Sequence, residues 1–235
     1  MRLLRVTAHL RTPVVGDHDI HLDGVLERAH AHRFGVEDAP HRLRDPEHLP
    51  SLPIHVQRVM VRGARVTLAS AWNLPMAARA AAIHLTSRPD AEDIHRKARA
   101  FTPGAGPGRS RLVRREAVAV NRIEWTCWGQ RREVLHLLRL VGQLGSVRRG
   151  GHGEVVGWEV DAIDGDVVDR VLVDAGGVAL RALPGSWLAD PPESIGAWRS
   201  PYWHPALQVP CALPGDVVEL RPDVIAEVRR CVSET

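Results

Sequence analysis

Residues 3–10 alternate between apolar and polar side chains, which predicts a strand with one buried face. The apolar face consists of Leu4, Val6 and Ala8. Apolar residues then recur at helical spacing from residue 19 or 21 to Gly35, which predicts a helix that ends at this glycine. The chain therefore begins with a β-α unit.

The next predicted element is a tight hairpin. Two β-prone runs, 56–61 and 65–71, flank the turn residues 62–64. The alanines of residues 76–85 favour a helix, although residues 84–86 also fit the start of a strand. The middle of the chain is therefore expected to add strands to the first unit.

A second β-α unit follows. Residues 117–127 alternate as a strand does, residues 130–144 place apolar side chains on one helical face, and residues 154–160 form another predicted strand after the glycine-rich turn 142–153. This order is typical of an α+β fold with an antiparallel sheet, ferredoxin-like or RRM-like, with helices on one face. We assign this domain to residues 1–161.

The remaining residues, 162–235, are expected to form a C-terminal extension. Residues 167–173 and 178–183 predict a hairpin, and residues 184–214 are rich in Pro, Trp and Gly without a clear period. This irregular part carries large aromatic side chains that are expected either to pack on the sheet or to meet a partner subunit. They are Trp187, Trp198, Tyr202 and Trp203.

Composition narrows the class of protein. The chain has 235 residues, of which 44% are hydrophobic and 25% charged, so a folded core is expected. We find no stretch of signal-peptide or membrane-span length, which predicts a cytoplasmic protein. Cys127, Cys211 and Cys231 lack the spacing of a zinc site or a disulfide framework, and no cofactor motif is present.

Charge is distributed unevenly along the chain. Residues 96–149 contain 13 Arg or Lys and three acidic residues, a local charge of +10 within a total of +3. A segment of this kind repels itself unless a polyanion neutralises it, which favours a nucleic-acid partner over a merely solvated surface. Within it, residues 101–115 are predicted to be an arginine-rich inserted loop.

The glycine-rich turn follows a helix and precedes a strand. A dinucleotide fingerprint requires the reverse order, so this turn does not indicate a nucleotide cofactor. Glycines allow close approach of a phosphate, and Arg148 and Arg149 add forked donors, so the turn fits an RNA-backbone clasp. A plain flexible turn is the alternative.

The thirteen histidines do not form a recognisable site in the sequence. His30 and His32 lie two residues apart and point to different helix faces, so a metal site is not predicted. A histidine could act as a general base in metal-independent RNA cleavage, but none is paired at a defined spacing with a second catalytic group. We therefore predict no catalytic residues, with cleavage as an alternative.

Three segments resemble the RAMP superfamily of CRISPR proteins. They are IHLDGVLERAHAHRFG at 20–35, the glycine-rich turn, and SPYWHPALQVPCALP at 200–214. The likeness extends from about residue 7 to residue 214 and is strongest to the small Cas-five-type subunit of type IV effector complexes. It implies an RRM-like fold, with the arginine loop at 103–115 in the place of a projecting thumb.

The resemblance also implies a function in antiviral or anti-plasmid defence. Such a subunit binds the 5′ handle of the CRISPR RNA, caps the backbone filament, contacts the backbone and large subunits, and meets target DNA indirectly. Alternatives are a RAMP-type processing endoribonuclease and a subunit that binds the flanking motif of target DNA. The candidate RNA-binding residues are His21, Arg109, Arg111, Arg114, Arg115, Arg148, Arg149, Gly150, Gly151, His152 and Gly153.

Overall fold

The computed structural model describes residues 1–16, 19–35, 52–75, 78–87, 111–146, 150–202 and 204–235. Its strands are β1 (Arg2–Leu10), β2 (Val14–Val15), β3 (Arg58–Val61), β4 (Ala64–Thr67), β5 (Arg79–Ser87), β6 (Arg111–Ala119), β7 (Arg122–Gly129), β8 (Val155–Ala162), β9 (Leu183–Pro184), β10 (Ile195–Gly196) and β11 (Val209–Ala212). Its α-helices are α1 (Leu22–Phe34), α2 (Arg131–Leu138) and α3 (Pro222–Ser233).

The central sheet is antiparallel, with β1 paired between β7 and β8. Residues 68–73 run along the other edge of β7, where Ala69 bridges Cys127 and Asn73 bridges Glu124. The spatial order β8, β1, β7 and this irregular segment is that of a ferredoxin-like domain, in which the last and first strands precede the third and second. The predicted α+β fold with an antiparallel sheet is confirmed.

Both predicted helices of this domain cover one face of the sheet. Leu4, Val6 and Ala8 of β1 are fully buried beneath them, as their alternation predicts. α1 ends at Gly35, whose φ of 68° is left-handed, as the sequence signal indicates. α2 is shorter than predicted and ends at Leu138.

The opposite face of β1 begins a second core. Leu3 packs there with the β3–β4 hairpin, the C-terminal helix α3 and Trp187. Trp187 is fully buried, and its Nε1 donates to the Val61 carbonyl at 3.0 Å. The C-terminal extension is thus packed against the sheet domain. Of the two expectations for the aromatic side chains, Trp187 follows the first, packing within the protein.

The β3–β4 hairpin has the predicted turn. Arg62 and Gly63 both have positive φ, of 48° and 75°, as a two-residue hairpin with right-handed strand twist requires. This hairpin packs with Leu3 and α3 and so forms part of the second core.

Three predictions on secondary structure were wrong. The helix favoured for residues 76–85 is replaced by strand from Arg79 onward, since β5 pairs with β6 along its whole length, and the alternative strand at 84–86 is found; residues 76 and 77 lie outside the described residues. The predicted loop 101–115 is strand from Arg111 onward, because the backbone of β6 forms an antiparallel ladder with β5, whereas residues 101–110 lie outside the described residues. The predicted strand 117–127 is two strands, β6 and β7, that separate at Val120 and Asn121.

The C-terminal hairpin prediction also fails in its first half. Val168–Leu172 form one turn of π-helix instead of a strand. Val167, Val168, Val171 and Leu172 are all buried, and short apolar runs of this kind do not distinguish strand from helix by periodicity. The helix α3 was not predicted, although Pro222 at its first position is a start signal. Within the described parts of the chain, no helix is long and apolar enough to cross a membrane.

Candidate nucleic-acid interface

A two-residue strand joins the two segments that the sequence marks for phosphate binding. β2 pairs with β6, with Val14 opposite Val118 and Val15 opposite Ala117. The Val15 carbonyl also accepts from the Ser146 backbone N–H at 2.8 Å, at the start of the glycine-rich turn. The base of the β5–β6 hairpin and the glycine-rich turn therefore lie on either side of one short strand.

The β5–β6 hairpin displays its arginines on both faces. Arg114 and Arg115 are consecutive residues of β6, so their side chains lie on opposite faces. Arg114 stands opposite His84 and Arg115 opposite Ile83, and both arginines are exposed. Arg109 lies outside the described residues. A backbone that runs along this hairpin can therefore meet guanidinium groups on either side of it.

The glycine-rich turn has a rigid part. Gly153 is buried, its N–H donates to the Pro13 carbonyl, and its carbonyl accepts from the Leu144 N–H, each at 2.8 Å. A Cβ at this position would lie 2.0 Å from the Leu144 oxygen. At Gly145 a Cβ would lie 2.3 Å from the Val15 oxygen. These two glycines let the turn pack against residues 13–15, and the Gly153 N–H is already used within the protein.

Another part of the same turn faces solvent. Gly150 and Gly151 are exposed, and at Gly151 a Cβ would meet nothing within 4 Å. The Gly151 carbonyl accepts from the Thr12 hydroxyl at 2.9 Å, which holds the turn to the end of β1. His152 is half-buried, and Arg148 and Arg149 lie outside the described residues. The exposed glycines remain accessible to a phosphate.

His21 lies in a different place from the other candidates. Its side chain is 6% exposed, and its ring stacks on Tyr202 with centroids 3.9 Å apart and planes 8° from parallel. Burial, and then the nearby Arg181 cation, hold the His21 pKa well below its ordinary value. This histidine is therefore neutral and enclosed, and its side chain is part of the interior.

Tyr202 connects His21 to a buried ion pair. Asp23 is 1% exposed and Arg181 is fully buried, and Arg181 Nη2 lies 3.7 Å from Asp23 Oδ2. The Tyr202 hydroxyl donates to the Asp23 carboxylate and accepts from Arg181 Nη2 at 3.2 Å. Backbone carbonyls take up the other Arg181 donors, among them those of Ala69 and Trp198. We name His21, Asp23, Arg181 and Tyr202 the buried polar cluster.

The buried polar cluster shifts the pKa values of Tyr202 and of the neighbouring Glu27. Burial, and then the Asp23 charge, raise the pKa of the Tyr202 phenol well above its ordinary value. Burial and Asp23 likewise raise the pKa of Glu27, which also contacts Arg58 at 3.2 Å. A buried charge pair of this kind is costly unless every donor and acceptor is satisfied. The hydrogen bonds of Arg181, Asp23 and Tyr202 offset this cost, whereas His21 Nδ1 has no hydrogen-bond partner among the described residues.

Sequence analysis missed Arg181 and the pairing within this cluster. A signal was present, because Arg181 interrupts the apolar run 178–183 and Asp23 interrupts the apolar opening of α1. A charge in a buried run requires a partner, although the sequence does not say which one.

The face of the central sheet opposite the helices is covered at Leu3 by the second core, and its remaining part, the open face, does not carry the stacking platform of an RRM. Its β1 positions are Arg5, Thr7 and His9, and His9 Nε2 lies 3.2 Å from Glu159. Trp128 of β7 shares this face but packs into the second core. An RRM binds RNA by stacking bases on exposed aromatic side chains of its central strands. The described parts of β1, β7 and β8 carry no such exposed aromatic side chain on this face.

A cavity of about 520 Å³ lies over this open face, beside the C-terminal extension. Its lining includes Arg5, Trp72, Glu124, Asp169 and Arg170, a mixture of both charges. Among the described residues no group of three His, Cys, Asp or Glu side chains could hold a metal ion. Burial raises the pKa of the Cys127 thiol to about 12, so this cysteine is an inert part of the core.

Comparison with known proteins adds a remote likeness. No family model matches the chain, and no curated protein sequence matches it. A chain of a solved CRISPR RNA-guided surveillance complex is similar to it, with 11% sequence identity and a TM-score of 0.30. The match covers 65% of this chain and 66% of that chain, just under two thirds of its length. The case for a function therefore rests on the residues of this chain.

Proposed function

We propose that this chain is a non-catalytic, RNA-binding subunit of a CRISPR ribonucleoprotein. In the finer form of the proposal it is a Cas-five-type subunit of a type IV complex that holds the 5′ handle of the CRISPR RNA. The observation that carries the proposal is the junction at β2, where one strand pairs with the arginine-bearing hairpin and bonds to the glycine-rich turn. Because β2 contacts both elements, one RNA backbone bound at the hairpin would pass close to the glycine-rich turn.

The resemblance to RAMP proteins gains support from a contact between its motifs. The HLDG segment opens α1 and the SPYWHP segment lies near the end of the chain, yet Asp23 and Tyr202 are hydrogen-bonded. At Gly24 a Cβ would lie 3.7 Å from the Tyr202 ring, so a small residue suits this contact. Because Asp23 and Tyr202 contact each other in the fold, we expect the HLDG and SPYWHP segments to resemble RAMP proteins together.

The arrangement of the histidines favours binding over cleavage. His21 is enclosed, and His9 lies beside Glu159 on the open sheet face. A general base in RNA cleavage has to reach a 2′-hydroxyl, which the buried His21 side chain does not. We therefore assign no catalytic role to it.

A salt titration tests the proposal. Repeat-derived single-stranded RNA is titrated with wild-type protein and with the variant Arg114→Gln/Arg115→Gln. The slope of log affinity against log salt should become shallower by about 0.7 per lost phosphate contact, or about 1.4 in total. The control, Arg65→Gln/Arg170→Gln, removes two exposed arginines that lie outside the hairpin and the turn.

An unchanged slope in the hairpin variant, with a normal thermal melt, would contradict the proposal. Duplex DNA is titrated in parallel. Tighter binding of duplex DNA than of the repeat RNA would replace the RNA-binding proposal by the DNA-binding alternative.

A further inference from the structure

The outer face of α2 carries three basic side chains. Arg132, His136 and Arg139 are spaced at i, i+4 and i+7, and all are exposed, whereas Val134 and Leu138 point into the core. In the described parts of the chain no ion pair is found for Arg132 or Arg139. These residues therefore present unneutralised positive charge on the helical side of the domain, the side away from the open sheet face.

The end of α1 extends this charge. Arg33 Nη1 donates a hydrogen bond to His136 Nε2. An imidazole is a weaker acceptor for a guanidinium than a carboxylate is, so this contact does not neutralise the Arg33 charge. Arg33 Cζ also lies 5.4 Å from the centroid of Phe34, a ring that is 59% exposed. His30 packs against the same ring, with centroids 4.4 Å apart.

The surroundings of His30 indicate positive potential. Burial, and then the neighbouring His55 and Arg33 groups, lower the pKa of His30. Nearby acids are engaged elsewhere, since Glu27 contacts Arg58 at 3.2 Å and Asp161 lies 3.8 Å from Arg131. Within the described residues, Glu133 in the first turn of α2 is the acid of that helix.

We infer that this surface, the helical cationic face made of His30, Arg33, Arg132, His136 and Arg139, binds the phosphodiester backbone of single-stranded nucleic acid. Exposed arginines without acidic partners favour phosphate, which each guanidinium can bind through two donors. Phe34 supplies an exposed ring on which a base can stack beside the arginines. The inference rests on the proposed function for its ligand class and adds a second contact surface to the hairpin and the turn.

The test uses the same single-stranded RNA and the full chain. Arg132→Gln/Arg139→Gln should make the salt slope shallower by about 1.4, because two phosphate contacts are lost. The Arg65→Gln/Arg170→Gln control should leave it unchanged. Both arginines are exposed, so thermal melts of the variant should match those of the wild type.

The two proposals fail separately. If only Arg114→Gln/Arg115→Gln changes the slope, the helical cationic face does not bind RNA and the proposed function stands. If only Arg132→Gln/Arg139→Gln changes it, the hairpin proposal is wrong and this inference stands. If neither variant differs from the control, both are wrong.

Discussion

The Tyr202 hydroxyl lies 2.8 and 2.9 Å from the two oxygens of Asp23, to which it donates across 179 residues of chain. The pair joins the start of α1 to the irregular C-terminal extension. Arg181 neutralises the carboxylate from the third side, and His21 covers the phenol ring. The extension is therefore held to the sheet domain by a specific polar contact as well as by apolar packing.

Tyr202→Phe should lower the free energy of unfolding by about 2 kcal/mol, because it leaves a buried carboxylate with one donor fewer. Urea denaturation followed by circular dichroism measures the change. Trp72→Phe is the control, since it removes an exposed hydrogen bond, from Nε1 to Asp19 at 2.9 Å, and should cost much less. Equal costs for the two variants would show that the Tyr202 hydrogen bond is not important for stability.

Stability should fall as the pH is lowered below about 6.5. The His21 pKa is lowered by burial and by Arg181, so the folded state binds fewer protons there than the unfolded state does. The loss is up to about 1.4 kcal/mol per pH unit between the unfolded and folded pKa values. His21→Phe retains a ring to stack on Tyr202 and should show a weaker pH dependence between pH 6.5 and 5.

The control for this experiment is His84→Gln, because His84 is exposed on β5. Its pH dependence should match that of the wild type. Glu27, whose pKa is raised by burial and by the Asp23 charge, is retained in all three proteins, so its own titration cancels in the comparison. A His21→Phe curve parallel to that of the wild type would contradict the assignment.

Two glycines of one turn should respond differently to alanine. Gly151→Ala costs about 1–2 kcal/mol, because its φ of 77° is left-handed but its surroundings are open. Gly153→Ala should cost clearly more, since the new Cβ would also meet the Leu144 oxygen. Chemical denaturation of both variants measures the difference, and similar losses would show that the turn rearranges easily.

The repeat RNA should remain intact when it is incubated with purified protein, with or without divalent metal. The described residues offer no accessible pair of catalytic groups that includes His21. Specific cleavage, detected on a denaturing gel and lost in His9→Ala or His152→Ala but not in a His84→Gln control, would favour the endoribonuclease alternative.

The sequence is most informative where one face of an element is buried. The alternation of Leu4, Val6 and Ala8 correctly predicts both the strand and its buried face, because register errors would expose all three. The same alternation rule does not identify residues 68–73 as the edge of the sheet, because single bridges replace a regular ladder there. Pairing of this kind depends on β7, which lies far away in the chain, so local periodicity does not reveal it.

The candidate site was predicted only in part. The concentration of arginine in 96–149 is visible in the sequence, but its division between the two faces of β6 depends on the pairing with β5. The sequence also does not separate Gly153, which packs against Leu144, from Gly151, which is exposed. Both are glycines with positive φ, and only the neighbouring backbone distinguishes them.

The buried polar cluster also sets an order of events during synthesis. Asp23 leaves the ribosome long before Arg181 and Tyr202, so a nascent chain that has already packed α1 on the sheet would hold an uncompensated carboxylate. Burial of Asp23 in α1 is therefore costly until Arg181 and Tyr202 have been translated. A version truncated before residue 181 lacks the cation that neutralises this buried carboxylate.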